Sequence, residues 1–138
     1  MIKVKKLMAD AILPTRATEG SAGYDLYSVD DILIVPGMSE VIPTGIAMEI
    51  PRGYVGLLSH RSSMAFKLDS IASLGYLDSD YRGEIKVKIF NLGSEGVRIA
   101  KGDRFAQVAL VPCLQEDTVE GELSVTTRGA GGFGSSGS

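Results

Sequence analysis

No internal disulfide can form in this chain, because Cys113 is its only cysteine. A reducing intracellular compartment, cytoplasmic or similar, is therefore the expected location. His60 is the only histidine, so a Ser-His-Asp triad or a multi-histidine zinc centre has almost no material. No apolar run exceeds four residues, the length reached at Ile32–Val35 and Val108–Val111, which excludes a membrane-spanning helix. Met1–Leu13 likewise holds no long apolar stretch, and no signal peptide is expected there. An excess of one charge is missing too: 14 Lys and Arg face 17 Asp and Glu, a net charge of −3. A mildly acidic chain is a poor general binder of nucleic-acid backbone. There is no internal repeat and no interdomain linker, and 138 residues make one domain with room for a real core.

What is present is a period of two. Ile2 and Val4 alternate with Lys3 and Lys5, and Ile85, Val87 and Ile89 alternate with Glu84, Lys86 and Lys88. Residues 104–111 are apolar at most positions of both faces. Such alternation sets one face of a strand in a core and the other in water. Turn signals such as Pro36-Gly37, Pro51-Arg52-Gly53 and Lys101-Gly102-Asp103 break the chain at short intervals, the pattern of an all-β sandwich or barrel. The longest window without Gly or Pro is Leu57–Leu74, where Met64, Ala65, Leu68, Ile71 and Ala72 have rough helical spacing; one short helix is expected. Five of the 17 glycines fall in Gly129–Ser138. The expected organisation is a β-barrel domain over 1–127 and a flexible glycine-rich arm over 128–138.

Five segments carry unusual chemistry. Ala22-Gly23-Tyr24-Asp25-Leu26 reads as a turn entering a strand, with a carboxylate. Arg61-Ser62-Ser63 supplies hydroxyls beside a guanidinium; the serines suit either a helix cap or phosphate oxygens. Gly75–Glu84 holds Asp78, Asp80, Tyr81 and Arg82, an acidic turn that also has the parts for a general base and a ring against a sugar. Lys101–Gln107 combines a turn, in which Asp103 is expected to pair with an arginine, with Gln107 in an apolar strand, where a buried amide needs partners. Arg128–Gly137 reads as a plain flexible tail, yet a linker has no use for Arg128 or Phe133.

In this order, from about Ala22 to Gly137, the five segments resemble the five motifs of the homotrimeric dUTPase family. The resemblance is carried most specifically by Asp78-Ser79-Asp80-Tyr81-Arg82-Gly83-Glu84 and Gly102-Asp103-Arg104-Phe105-Ala106-Gln107 together with the tail. It implies a jelly-roll-like β-barrel with one short helix, a homotrimer whose active sites are shared between subunits, and no nucleic-acid or membrane partner. The implied reaction converts dUTP and water to dUMP and pyrophosphate, with Mg²⁺ held by the triphosphate.

By position, the resemblance gives Asp78 the role of orienting and deprotonating the attacking water. It lays the Tyr81 ring against the deoxyribose and pairs the backbone of Gly75 and Leu77 with uracil. Arg61, Ser62 and Ser63 would contact the phosphate chain, Gln107 the α-phosphate, and Asp25 the metal through water. Phe133 would stack on uracil, with Arg128, Ser135, Ser136 and Gly137 around the β- and γ-phosphates. Four features depart from the usual pattern: His60 where proline is common, the stretch Leu68–Leu74, Tyr76 for a small aliphatic residue, and Ser136 where threonine is frequent. His60 and Cys113 are expected to be structural. A dCTP deaminase, which shares the fold, and a non-catalytic dUTP or protein-binding module are the competing readings; the filled Asp78–Arg82 segment favours the hydrolase.

Overall fold

The structure is a computed structural model that describes residues 1–137; Ser138, the last residue of the expected arm, lies outside the described residues. The elements in chain order are β1 (Lys3–Lys6), β2 (Gly23–Tyr27), β3 (Ile32–Ile34), β4 (Ser39–Pro43), β5 (Ile46–Glu49) and β6 (Tyr54–His60), then α1 (Ser62–Leu68), then β7 (Ser70–Ala72), β8 (Gly75–Leu77), β9 (Lys86–Asn91), β10 (Val97–Ile99) and β11 (Arg104–Pro112). The architecture is all-β and jelly-roll-like with one short helix. Every strand pairing is antiparallel. The strands form separate ladders in the orders β2-β11-β6-β8, β4-β9-β7, β1-β5 and β3-β10, not one closed ladder. Among the described residues, no helix is long and apolar enough to cross a membrane.

Sequence periodicity predicts the core well. On β9 Val87 and Ile89 are buried while Lys86 and Lys88 are exposed, and Ile85 just before it is buried. β11 lies between β2 and β6, so both of its edges are hydrogen-bonded; Phe105, Ala106 and Val108 are buried, and Gln107, Ala109, Leu110 and Val111 are half-buried. The core continues through Leu26, Ile34, Ile42, Ile46, Phe105 and Val108.

The helix is shorter than the spacing suggests. It ends at Leu68, because Asp69 adopts the left-handed conformation (φ 46°, ψ 37°) and its N–H returns to the Met64 carbonyl, a stop that Asp tolerates better than most side chains. Ile71 and Ala72 therefore belong to β7, paired with Phe90 and Ile89. Local spacing was outcompeted there by a sheet ladder.

Strand structure ends at Pro112. Cys113 donates its N–H to the Gly53 carbonyl at 2.9 Å, and Gln115 accepts from the Gly53 N–H at 3.1 Å. Beyond Gln115, no hydrogen bond or ion pair ties 116–137 to the body among the described residues. Leu114, Val119, Leu123, Val125 and Phe133 are all exposed.

Candidate active site

Among the described residues Asp25 is the one buried charge, 6% exposed on β2. Burying a lone carboxylate is costly unless it is paired, and here two arginines pair it. Arg61 Nε donates to Oδ1 at 2.9 Å and Arg104 Nη1 to Oδ2 at 3.4 Å. Arg61 arrives from the end of β6, across the sheet. Arg104 arrives because of an irregularity. Between β2 and β11 the register slips, so that Arg104 faces Tyr27 while Ala106 faces Leu26 and Gln107 faces Asp25. In a regular strand, residues three apart point to opposite faces. The extra residue, Phe105, resets the phase, puts its own ring in the core and turns Arg104 to the Asp25 side.

Gln107 lies between Asp25 on β2 and Ser59 on β6. Its Nε2 donates to the His60 carbonyl at 3.1 Å, which meets the demand of a strand amide for a partner. A Cβ at Gly23 would meet this amide and displace it, so the glycine gives the amide its room. His60 is structural: its Nδ1 accepts the Ala72 N–H at 3.3 Å, tying β6 to β7 over the short helix.

Ser62 and Ser63 do not cap the helix. The N-cap is Arg61, in extended conformation with no side-chain cap bond. Neither serine hydroxyl makes a hydrogen bond among the described residues, so both are available to a ligand. Asp103 corrects another expectation. Its carboxylate accepts the Ala100 N–H at 2.9 Å and forms no arginine pair; Asp25 takes both. The Lys101 turn is held instead by a Lys101–Asp10 ion pair, which keeps the Asp10 carboxyl below the usual carboxylate range.

The segment after β8 is organised separately. β8 is the edge strand of its sheet, paired only with β6. An edge strand leaves half of its backbone donors and acceptors pointing outward. The chain then turns, with the Tyr81 N–H on the Asp78 carbonyl at 3.1 Å. Tyr81 Oη donates to the Glu84 carbonyl at 2.9 Å, and the ring lies where a Cβ of residue 83 would be, so Gly83 makes the room. Arg82 braces the turn through the carbonyls of Ser79 and Tyr81 and an ion pair with Glu49 at 3.3 Å. The Asp78 carboxylate has no hydrogen-bond or ion-pair partner among the described residues. It stands between a 710 Å³ cleft shared with Glu49, Arg52 and Gln115 and a 380 Å³ cleft lined by Leu58, Tyr76, Leu77, Tyr81, Glu84 and Lys86.

Three groups of expected site residues thus form within one chain, and the chain does not bring them together. Asp25, Arg61, Ser62, Ser63 and Gln107 make the first. Leu77, Asp78 and Tyr81, with Gly75 at the start of β8, make the second; the clefts that Leu77, Asp78 and Tyr81 line share no residue with the 290 Å³ cavity holding Arg61 and Ser63. Arg128, Phe133, Ser135, Ser136 and Gly137 lie on the tail, bonded only locally, as by Arg128 Nε to the Gly131 carbonyl at 2.7 Å. Arg104, which along the sequence reads as part of a turn, begins β11 and pairs the buried Asp25 carboxylate. The signal for it, a charged residue one step out of phase with the strand, is visible only once the register is known.

The chain is similar to known proteins along nearly its whole length. The dUTPase family model matches residues 9–137. A deoxyuridine 5′-triphosphate nucleotidohydrolase of Nautilia profundicola is 45% identical over 139 residues, covering 99% of this chain and 98% of its own. The enzyme of the same name from Paramecium bursaria Chlorella virus 1 is 44% identical and covers 97% and 96%. Among solved structures, the Staphylococcus bacteriophage 80alpha dUTPase with dUpNHpp superposes with a TM-score of 0.90 at 32% identity, over 100% of this chain and 99% of the other. A variant dUTPase from phage phi11 of S. aureus, described as coordinating a structural Mg(II) ion, gives a TM-score of 0.83 at 28% identity, over 89% and 97%.

Proposed function

The chain belongs to the dUTPase family, and on that premise we propose that it hydrolyses Mg²⁺-bound dUTP to dUMP and pyrophosphate in nucleotide metabolism, in sites shared by three copies of the chain. The observation that carries this reading is the separation just described. A phosphate-binding group, a base-and-sugar group and a tail are each furnished, yet one chain keeps them apart. A second copy supplying Asp78 and Tyr81 and a third supplying the tail would complete each site. The exposed apolar residues of 113–125 suit contact with another copy.

Asp78 takes a proton from a water placed in line with the α-phosphorus. The new P–O bond forms as the bond from the α-phosphorus to the bridging oxygen breaks. Pyrophosphate leaves with the electron pair, and the proton passes from Asp78 to solvent. The free Asp78 carboxylate fits this role. The outward backbone groups of β8, at Gly75 and Leu77, fit the edge of uracil, and the ring of Tyr81 fits the face of the deoxyribose. Arg61, Ser62 and Ser63 hold the phosphate chain and Gln107 the α-phosphate. The tail closes the site, with Phe133 on the base and Arg128, Ser135, Ser136 and Gly137 on the outer phosphates.

The cation enters with the triphosphate, as part of the substrate. Among the described residues, no group of three or more His, Cys, Asp or Glu converges to cage an ion. Asp25 is already shared by two arginines, but each carboxylate oxygen can accept a second bond, so Asp25 suits a water of the ion and not the ion itself. The ion would neutralise phosphate charge. Alignment and electrostatics from the assembled side chains then supply most of the rate.

Release of pyrophosphate from dUTP, without ammonia release from dCTP, tests the reaction. Light scattering tests the assembly. A mass of three chains is expected, and full activity at the mass of one chain would overturn the shared site. Tyr81→Ala should narrow the preference for dUTP over UTP by about tenfold or more, because the ring no longer excludes a 2′-hydroxyl. An unchanged ratio of specificity constants would assign that selectivity to another residue.

A further inference from the structure

Arg98 lies outside the five motif segments. In sequence it reads as the solvated residue of a short strand, between Val97 and Ile99, both buried. The fold gives it a different setting. Arg98 lines the 290 Å³ cavity between α1 and the start of β11, together with Arg61, Ser63 and Arg104. Three guanidiniums from three separate elements meet there.

Their charges are not equally spent. Arg61 and Arg104 share the single carboxylate of Asp25. Asp103 also borders the cavity, but its carboxylate is engaged by the Ala100 N–H. Arg98 has no carboxylate within 4.0 Å among the described residues. Three cations thus stand against the carboxylates of Asp25 and Asp103, and among the described residues Arg98 is the unpaired one. A cavity with a surplus guanidinium and a free Ser63 hydroxyl suits a phosphate group, which guanidinium forks bind through charge-assisted hydrogen bonds.

The layout sets which phosphate. Gln107, proposed for the α-phosphate, does not line this cavity, whereas Arg61 and Ser63, proposed for the phosphate chain, line it together with Arg98. A polyphosphate held by its α-group at Gln107 would therefore bring a later phosphate of the chain, not the α-group, to Arg98. We propose that Arg98 binds the terminal phosphate of the substrate and so selects the triphosphate over shorter forms. This rests on the dUTPase reading above.

Arg98→Gln removes the charge and keeps a polar side chain on an exposed strand position. The variant should raise the KM for dUTP about tenfold or more, with kcat within about twofold. The inhibition constant for inorganic pyrophosphate should rise by a similar factor, while those for dUMP and dUDP stay the same. Arg98→Lys should recover part of the loss. Unchanged dUTP and pyrophosphate values would overturn the assignment. So would a parallel rise for dUMP and dUDP, which would mark a general disturbance of the site. If the unsubstituted protein releases no pyrophosphate from dUTP, the dUTPase reading fails. Calorimetric titration with pyrophosphate alone then still tests Arg98: binding weakened in Arg98→Gln supports its role, and equal binding overturns it.

Discussion

Asp78→Asn is expected to lower dUTP turnover by about two orders of magnitude or more while dUTP binding and thermal stability stay near their original values. The amide keeps the size and the hydrogen-bonding reach of the carboxylate but cannot take a proton. The structure makes the test clean. Asp78 is exposed, and its carboxylate forms no bond or ion pair within the described chain. Removing its charge therefore orphans nothing, and a surface change of this kind lies within about 0.5 kcal/mol of neutral. The same substitution at Asp25 would be uninterpretable, because two arginines would lose their partner at once. Single-turnover kinetics with dUTP, alongside a thermal melt, decide the matter. Near-normal turnover would remove Asp78 from the base role.

Deleting Gly129–Ser138 is expected to leave the thermal transition of the ligand-free protein almost unchanged and to nearly abolish hydrolysis. Holding such a segment in one conformation costs about 1–2 kcal/mol per residue of backbone entropy. Nothing in the body repays that cost: Phe133 is fully exposed, and the hydrogen bonds of residues 129–137 reach no further than Thr126. Stacking of Phe133 and charge-assisted bonds from Arg128 would offset it only with the nucleotide in place. Phe133→Ala should show a milder form of the same defect. Mixing truncated chains with Asp78→Asn chains should restore partial activity, since a mixed trimer can draw an intact Asp78 and an intact tail from different copies. If the subunits exchange and activity returns at no mixing ratio, the tail does not act across subunits.

Much of this protein was legible before any coordinates. Alternation at 85–89 placed the right residues in the core because a half-buried strand demands it. The order of the five segments carried the family, since those side chains must appear whatever the details of packing. Less legible was the helix. Its apolar spacing ran on to Ala72, but the left-handed turn at Asp69 and the pairing of β7 with β9 ended it at Leu68. Residues 57–74 offer similar local signals for both outcomes, and long-range pairing chose.

By itself the sequence determined the period, the turns, the residue types offered to the site and, with one cysteine, that no internal disulfide can form. Those follow from composition and from neighbours along the chain. Only the tertiary structure decided which charge answers which. Asp103 is expected from its turn to pair with an arginine, yet its neighbour Arg104 is held by Asp25, 79 residues away in sequence. The cause is one extra residue in β11, which turns Arg104 to the Asp25 face and buries Phe105. Strand phase depends on register, and register is set by the partner strand.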